Sequence, residues 1–398
     1  MAVHRAIDSS RRRFVTAGVT VGSAALAGCL EGSSDGTDDE ANGETGSDGS
    51  HGATLAPVGD VEFDSVPEDA FVAFPQYADM AVALGHGDAV NALFSTEMAG
   101  TTMDKYYHHL EGVSFDWEGL PDPLEGGLTR ELLYDLDSDI HFLDPSYPVK
   151  HNDDWTTDDV DEIASTLGPW LGNFHSGVHS EPAPAYADGY EYYTLWEIFE
   201  GVAAVFRERE RFEALETVHA DLRDRIGSDL PPKSERPTAA RVTLGDGQFF
   251  TYHLNAPGYW QADTRPLAAR DALADYDWSG DWGTVDYETM LEADPDVVLH
   301  LWGITSRYSI EDVRERLADH PVGSDLEAVR NDRVVAGGMR YQGPIMNLFQ
   351  TEMTAKQLYP DRFGEWPGYE PGEPYPTIPE EERLFDRERV AAIVRGED

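Results

Sequence analysis

The chain of 398 residues has one cysteine, Cys29, and four lysines, Lys105, Lys150, Lys233 and Lys356. A single cysteine excludes an internal disulfide framework. Basic residues of either kind are scarce, 29 against 76 acidic ones, for a formal charge of −47. Such a surface repels nucleic acid phosphates and anionic lipid headgroups, so neither is expected as a partner. Long apolar runs are missing too. The longest begins near Val15 and falls short of the about 20 residues that a membrane-spanning helix needs. Signatures of catalysis are also lacking: there is no His-Glu-x-x-His pair and no phosphate-cradling glycine loop. No enzyme activity and no cofactor are expected. The acid excess would destabilise a compact fold at ordinary salt. At about 1 M salt the Debye length falls to roughly 3 Å and the repulsion is screened, so the composition points to a salt-loving organism. Disorder from high charge is the competing reading. It fails for most of the chain, because 40% of residues are apolar and 11% aromatic.

The N-terminus reads Ser10-Arg11-Arg12-Arg13-Phe14-Val15, then an apolar stretch, then Leu26-Ala27-Gly28-Cys29. The first piece resembles a twin-arginine export signal and the last a lipobox. Arg5, Arg11, Arg12 and Arg13 form a positive n-region, and Val15–Ala27 a short h-region of small residues. Residues 1–29 are therefore read as a signal, with Cys29 as the point of lipidation. The mature protein is expected outside the cell, held to the outer face of the membrane only through that lipid.

Residues 30–60 read as a disordered acidic tether, being Gly, Ser, Asp, Glu and Thr almost throughout as far as Thr54. Residues 61–193 read as a first α/β lobe. Ala70–Phe74 is β-prone, and Tyr77–Leu84 has helical spacing and stops at Gly85-His86-Gly87. Val90–Phe94 and Ile140–Leu143 read as strands, and Thr129–Leu136 as a short helix with Thr129 as N-cap. Such alternation predicts a parallel unit. Over 194–227, apolar residues from Leu195 to Ile226 recur at three- and four-residue steps. Unbroken, that helix spans about 48 Å, which predicts a bridge between two lobes. Residues 228–398 read as a second α/β lobe with an acidic, Pro-rich tail. Here Arg241–Leu244 and Phe249–Tyr252 flank a Gly-Asp-Gly turn, and Val297–Leu301 and Arg333–Ala336 are strands. Asp286–Ala293, Ile310–Ala318 and Ile345–Leu358 are helices. The expected fold class is α/β, with two lobes joined by one long bridging helix.

Two stretches echo each other. Glu131 lies eight residues before Asp139, and Glu288 eight residues before Asp296, each pair spanning a short helix, a turn and the start of a strand. Trp282–Leu299, His320–Val335 and Gly343–Pro360 resemble the second lobe of the substrate-binding proteins of iron–siderophore and cobalamin ABC importers. The resemblance covers roughly residues 65–365 and is strongest over 282–363. In the first lobe Ser138 stands where that family usually has proline, and 95–125 and 144–190 look like insertions.

The resemblance implies a monomeric, lipid-anchored receptor that captures a ferric siderophore or similar metal chelate between its lobes. It would deliver the chelate to an ABC permease and its ATPase, with closure limited by the stiff helix. It also implies that Glu131 and Glu288, one per lobe, dock on the permease; stabilisation of a helix dipole is the plainer role. Open α/β sheets place ligands beyond their strand ends. That selects Tyr77, Tyr259, Trp260, Trp302, Arg307, Arg340 and Tyr341, as aromatic faces and arginines for a chelate rich in oxygen, or else as packing. His175 and His179 with Glu181 offer metal-ligand chemistry. Two glycines and two prolines in Gly172–Pro184 oppose a helix that would align them, and a surface loop is the simpler reading for them and for His108-His109. A cobalamin or haem receptor of the same fold, a cell-surface metal-dependent hydrolase and a structural surface protein remain as alternatives.

Overall fold

The computed structural model describes residues 50–278 and 282–397. The signal, Cys29 and most of the tether lie outside those residues. The tether ends sooner than its composition suggests. His51–Leu55 (β1) and Gly59–Phe63 (β2) pair as an antiparallel hairpin, His51 opposite Phe63. Alternate residues of a strand share a face, and here Ala53, Leu55, Val61 and Phe63 bury that face. Residues 51–60 thus belong to the folded body, correcting the boundary at 61.

Ala70–Val72 (β3) leads into Pro75–Ala83 (α1), with proline in the helix's first turn, where no N–H partner is lost. All nine residues of α1 are buried. The expected strand at Val90–Phe94 shrinks to one bridge, Val90 beside Ala70. It ends there because the Leu93 N–H turns away to the Pro121 carbonyl. Thr96–Tyr107 (α2) and Arg130–Leu136 (α3) follow. Ile140–Phe142 (β4) then pairs parallel with β3, and a further bridge joins His141 to Trp170. Ser146–His151 (α4) and Thr157–Thr166 (α5) complete this half.

The bridge is not one rod. Leu195–Phe206 (α6) and Arg209–Asp229 (α7) are separate helices meeting at an elbow. Arg207 is left-handed (φ 59°), and the Glu208 N–H bonds back to Ala203 O, closing α6. The end of α1 wedges into the elbow. His86 stacks on Phe206 at 4.5 Å and reaches Glu208 at 3.3 Å, while the Arg211 guanidinium bonds to Leu84 O. In place of one rod of about 48 Å there are arms of about 18 and 32 Å.

Thr238–Gly245 (β5) and Gln248–Tyr252 (β6) form a hairpin whose turn residues Asp246 and Gly247 both have positive φ. Short Arg270–Asp271 (β7) pairs with β5. Gly283–Val285 (β8), Tyr287–Ala293 (α8) and Val297–His300 (β9) come next. They are followed by Ile310–Asp319 (α9), Glu327–Arg330 (α10) and Val334–Ala336 (β10). The sheet order is β10-β9-β5-β6-β8, parallel from β10 to β5 and antiparallel beyond. Pro344–Leu358 (α11), Pro360–Phe363 (α12) and Arg387–Arg395 (α13) close the chain. The C-terminal stretch is no loose tail. Tyr375, Ile378, Leu384 and Phe385 are buried, and Arg387 pairs with Glu352 of α11 at 2.6 Å.

The echo between the halves is structural. Thr129 and Asp286 each cap the third residue of a short helix, accepting from Leu132 N (3.3 Å) and Thr289 N (2.8 Å). Each helix ends on a left-handed aspartate, Asp137 or Asp294. Asp139 then accepts Glu68 N at 2.8 Å, and Asp296 accepts Thr238 N at 2.7 Å, so each carboxylate holds the lead-in to the parallel strand beside it.

Candidate ligand cleft between the two sheets

The cleft centres on Arg340, in the loop between β10 and α11. Its guanidinium lies 4.2 Å from the ring centroid of Trp260, 4.7 Å from Tyr341 and 5.7 Å from Trp302. It donates to the hydroxyls of Tyr252 and Tyr341, both at 2.7 Å. Among the described residues Nε has no partner and no carboxylate forms an ion pair with the group. Trp302 follows β9 in a left-handed conformation (φ 67°), an unusual state for a bulky residue. The Trp302 N–H bonds to Gly338 O at 2.9 Å.

The opposite wall comes from the first sheet. Phe74, directly after β3, packs on Tyr341 at 4.9 Å, and Phe174 approaches Trp260 at 6.0 Å. Phe74 also meets Phe94 and Tyr147, which are half-buried at the mouth. Burial raises the Tyr147 hydroxyl to about 12, with Tyr341 adding and Arg340 opposing. The walls touch, so the cleft is closed.

Of the residues selected from sequence, Trp260, Trp302, Arg340 and Tyr341 come together. Tyr259 sits at the seam, its hydroxyl 3.3 Å from Gln76 Nε2 and 3.4 Å from Phe174 O. Tyr77 lies in the core rather than the cleft: its ring stacks on Phe142 at 5.8 Å and its hydroxyl accepts Asn173 N at 2.9 Å. It follows a strand end, as the rule requires, but the helix turns its side chain inward. Arg307 is exposed, 5.8 Å from the ring of its neighbour Tyr308, and among the described residues neither a hydrogen bond nor a ring contact joins its side chain to the cluster around Arg340. Phe74, two residues beyond β3, meets the same strand-end rule and is absent from the residues the sequence selects. Phe174 and Tyr147 lie in the 144–190 insertion, where no local pattern marks them.

His175 and His179 take different partners. His175 is buried, not on a surface loop. Its ring shares hydrogen bonds with Ser180 (2.9 Å) and Ser146 (3.3 Å), and burial lowers its pKa to about 3. His179 stacks on Tyr192 at 4.6 Å. Among the described residues no group of three or more His, Cys, Asp or Glu is arranged to hold a metal ion. His109 shares a hydrogen bond with Tyr375 O. Glu131 and Glu288 are both exposed in the first turns of α3 and α8. A recess of about 500 Å³ beside Trp196, His219 and Arg265 lies between the start of α6, α7 and Ala262–Pro266, not in the cleft. Glu197, Glu200 and Glu216 line it too, so its charge favours no anion.

Two sheets with an arginine-centred aromatic cleft between them, and a helical link behind, define a solute-binding fold. The chain belongs to the periplasmic binding protein family, whose model matches residues 72–341. Its members are the solute-binding components of ABC importers; they work outside the cytoplasm and are not enzymes. A periplasmic binding protein from Veillonella parvula shares the fold at 16% identity and TM-score 0.56, over 79% of this chain and 98% of that one. The iron-uptake ABC transporter substrate-binding protein PiuA of Streptococcus pneumoniae aligns at 13% identity and TM-score 0.53, over 77% and 98%. The CeuE protein of Helicobacter pylori, solved with Ni(II) bound, aligns at 13% identity and TM-score 0.52, over 78% and 90%. No curated protein sequence matches the chain. No helix among the described residues is long and apolar enough to cross a membrane.

Proposed function

We propose that this protein captures a ferric siderophore, or a similar anionic metal chelate, in the cleft around Arg340 and hands it to an ABC permease. The carrying observation is that Arg340, mostly enclosed by aromatic rings, has no carboxylate partner among the described residues. A buried cation needs a counter-charge, and a chelate with oxygen donors around ferric iron supplies it. The flat faces of Trp260, Trp302 and Tyr341 suit the apolar body of such a ligand. Lipid on Cys29 would hold the receptor at the outer face of the membrane. The acidic surface suits high salt, where charge repulsion is screened.

Titration with a ferric trihydroxamate tests the reading. Tryptophan fluorescence should be quenched as ligand reaches Trp260 and Trp302. An unchanged spectrum with this chelate, with cobalamin and with haem would sink it. Glu131 and Glu288 are the proposed permease contacts. The double charge reversal Glu131→Arg/Glu288→Arg should abolish uptake by cells and leave affinity in solution unchanged; a fall in affinity would contradict docking.

A further inference from the structure

Gln76 and Asp79 lie three residues apart on α1 and so share a face. Both reach the elements of the second sheet. Gln76 Nε2 donates to the Tyr259 hydroxyl at 3.3 Å. Asp79 accepts the Met346 N–H of α11 at 3.1 Å through one oxygen, and the Tyr107 hydroxyl of α2 at 2.6 Å through the other. Helix α11 has no side-chain cap of its own: Gly343 is its N-cap residue and Pro344 its first helical residue. First-turn N–H groups have no acceptor within their helix. For α11, which follows β10, that acceptor comes from α1, which follows β3. Gly343 permits the approach, since a Cβ there would lie 2.5 Å from Asp79 Cβ and 2.6 Å from Gln76 O. The segment held in this way carries Arg340 and Tyr341, six and five residues before Met346.

We propose that Asp79 is a positioning residue which caps α11 from across the cleft and so sets, before any ligand arrives, the separation of the walls and the placement of Arg340. The inference rests on the cleft being the ligand site. Asp79 is fully buried. Its titratable neighbours are Tyr107 and, further off, Tyr106, both on α2; α11 presents backbone N–H groups, and no ion pair reaches Asp79 among the described residues. Burial raises its carboxyl to about 7, against the opposing hydrogen bonds from Tyr107, Met346 and Ile345. In an opened cleft the carboxyl would return toward its ordinary range. The closed form therefore binds the proton more tightly, and closure is favoured as pH falls and relaxes as pH rises through about 7.

Amide hydrogen exchange in the ligand-free protein, read residue by residue, tests this. Ile345 and Met346 have no helical acceptor, so their protection reports the cap from Asp79. Asp79→Ala should speed exchange at these two amides by about tenfold or more and leave the amides of β9 unchanged. Asp79→Asn, which keeps an acceptor, should recover part of the protection. Wild-type exchange at 345–346 in the alanine variant overturns the proposal; so does an equal acceleration in β9, which would mark general loosening. If the alanine variant does not fold, the pH profile decides. Wild-type protection at 345–346, corrected for intrinsic exchange, should fall as pH rises through about 7 and be flat in Asp79→Asn; a flat wild-type profile overturns the proposal. A ferric trihydroxamate separates the two readings. Failure of the wild type to bind it sinks the cleft assignment while the exchange result stands. If it binds, Asp79→Ala should weaken affinity by about tenfold with Arg340 untouched, and unchanged affinity removes the positioning role.

Discussion

Arg241 and Arg340 meet the same tryptophan in opposite circumstances. Arg241 donates to Trp260 O at 2.7 Å and forms a forked ion pair with Asp263 at 2.9 and 3.2 Å, all of it buried. Arg340 lies over the Trp260 ring with hydroxyls for company and no acid. Among the described residues the two fully buried arginines, Arg241 and Arg387, each pair with an acid, so an enclosed arginine without one stands apart. The pair at Arg241 is closed on itself. Asp263 also accepts Gln342 Nε2 at 3.0 Å, and Gln342 in turn accepts from Asn347 and Gln350. That network spends its hydrogen bonds on holding the loop before α11. Arg340, carried on the same loop, is left with charge to offer.

The contrast breaks most sharply at Asp263. Asp263→Ala strands the Arg241 charge in the core and should cost about 3–5 kcal/mol, seen as a lower urea midpoint. Arg340→Gln removes no ion pair. It should leave stability within about 1 kcal/mol yet weaken binding of a ferric trihydroxamate by about a hundredfold, the scale of a central arginine at an interface. If instead Arg340→Gln unfolds the protein and Asp263→Ala does not, the two roles have been assigned the wrong way round.

Much of the architecture was legible in the sequence, because periodicity and caps are local. Thr129 and Asp286 stand at the helix starts their residue types announce, and Gly245-Asp246-Gly247 makes the turn it should. The elbow at Arg207 was not legible. No glycine or proline marks it, and its cause is the far end of α1 pressing on Phe206 and Glu208, which one-dimensional spacing does not contain. The hairpin at His51–Phe63 was missed because each strand has only two apolar residues on its buried face. Of the positions selected after β9 and β10, Trp302, Arg340 and Tyr341 meet in the cleft and Arg307 does not. Position after a strand end was a weaker guide in the first sheet, where Phe74 lies in the wall while Tyr77 points into the core.

A smaller effect sharpens the same lesson about buried charge. Asp144 and His175 share one hydrogen-bonded patch and titrate in opposite senses. Burial raises Asp144 to about 6, although Tyr190 and the N–H groups of Phe174 and Ser146 pull the other way. A raised carboxyl favours the folded state below its ordinary range, and that contribution is lost as pH rises through about 6. His175, lowered to about 3 by burial, favours the fold above its ordinary range of about 6.5. That contribution is lost as pH falls toward 3. Relative to wild type, Asp144→Asn should therefore gain stability between pH 4 and 6.5 as pH rises, and His175→Asn should gain over the same interval as pH falls. Urea midpoints at pH 4, 5, 6 and 7 measure both. Slopes of the same sign would mean that burial does not govern this patch. Enclosure of Arg340 without a carboxylate partner among the described residues would then give no physical reason to expect an anionic ligand there.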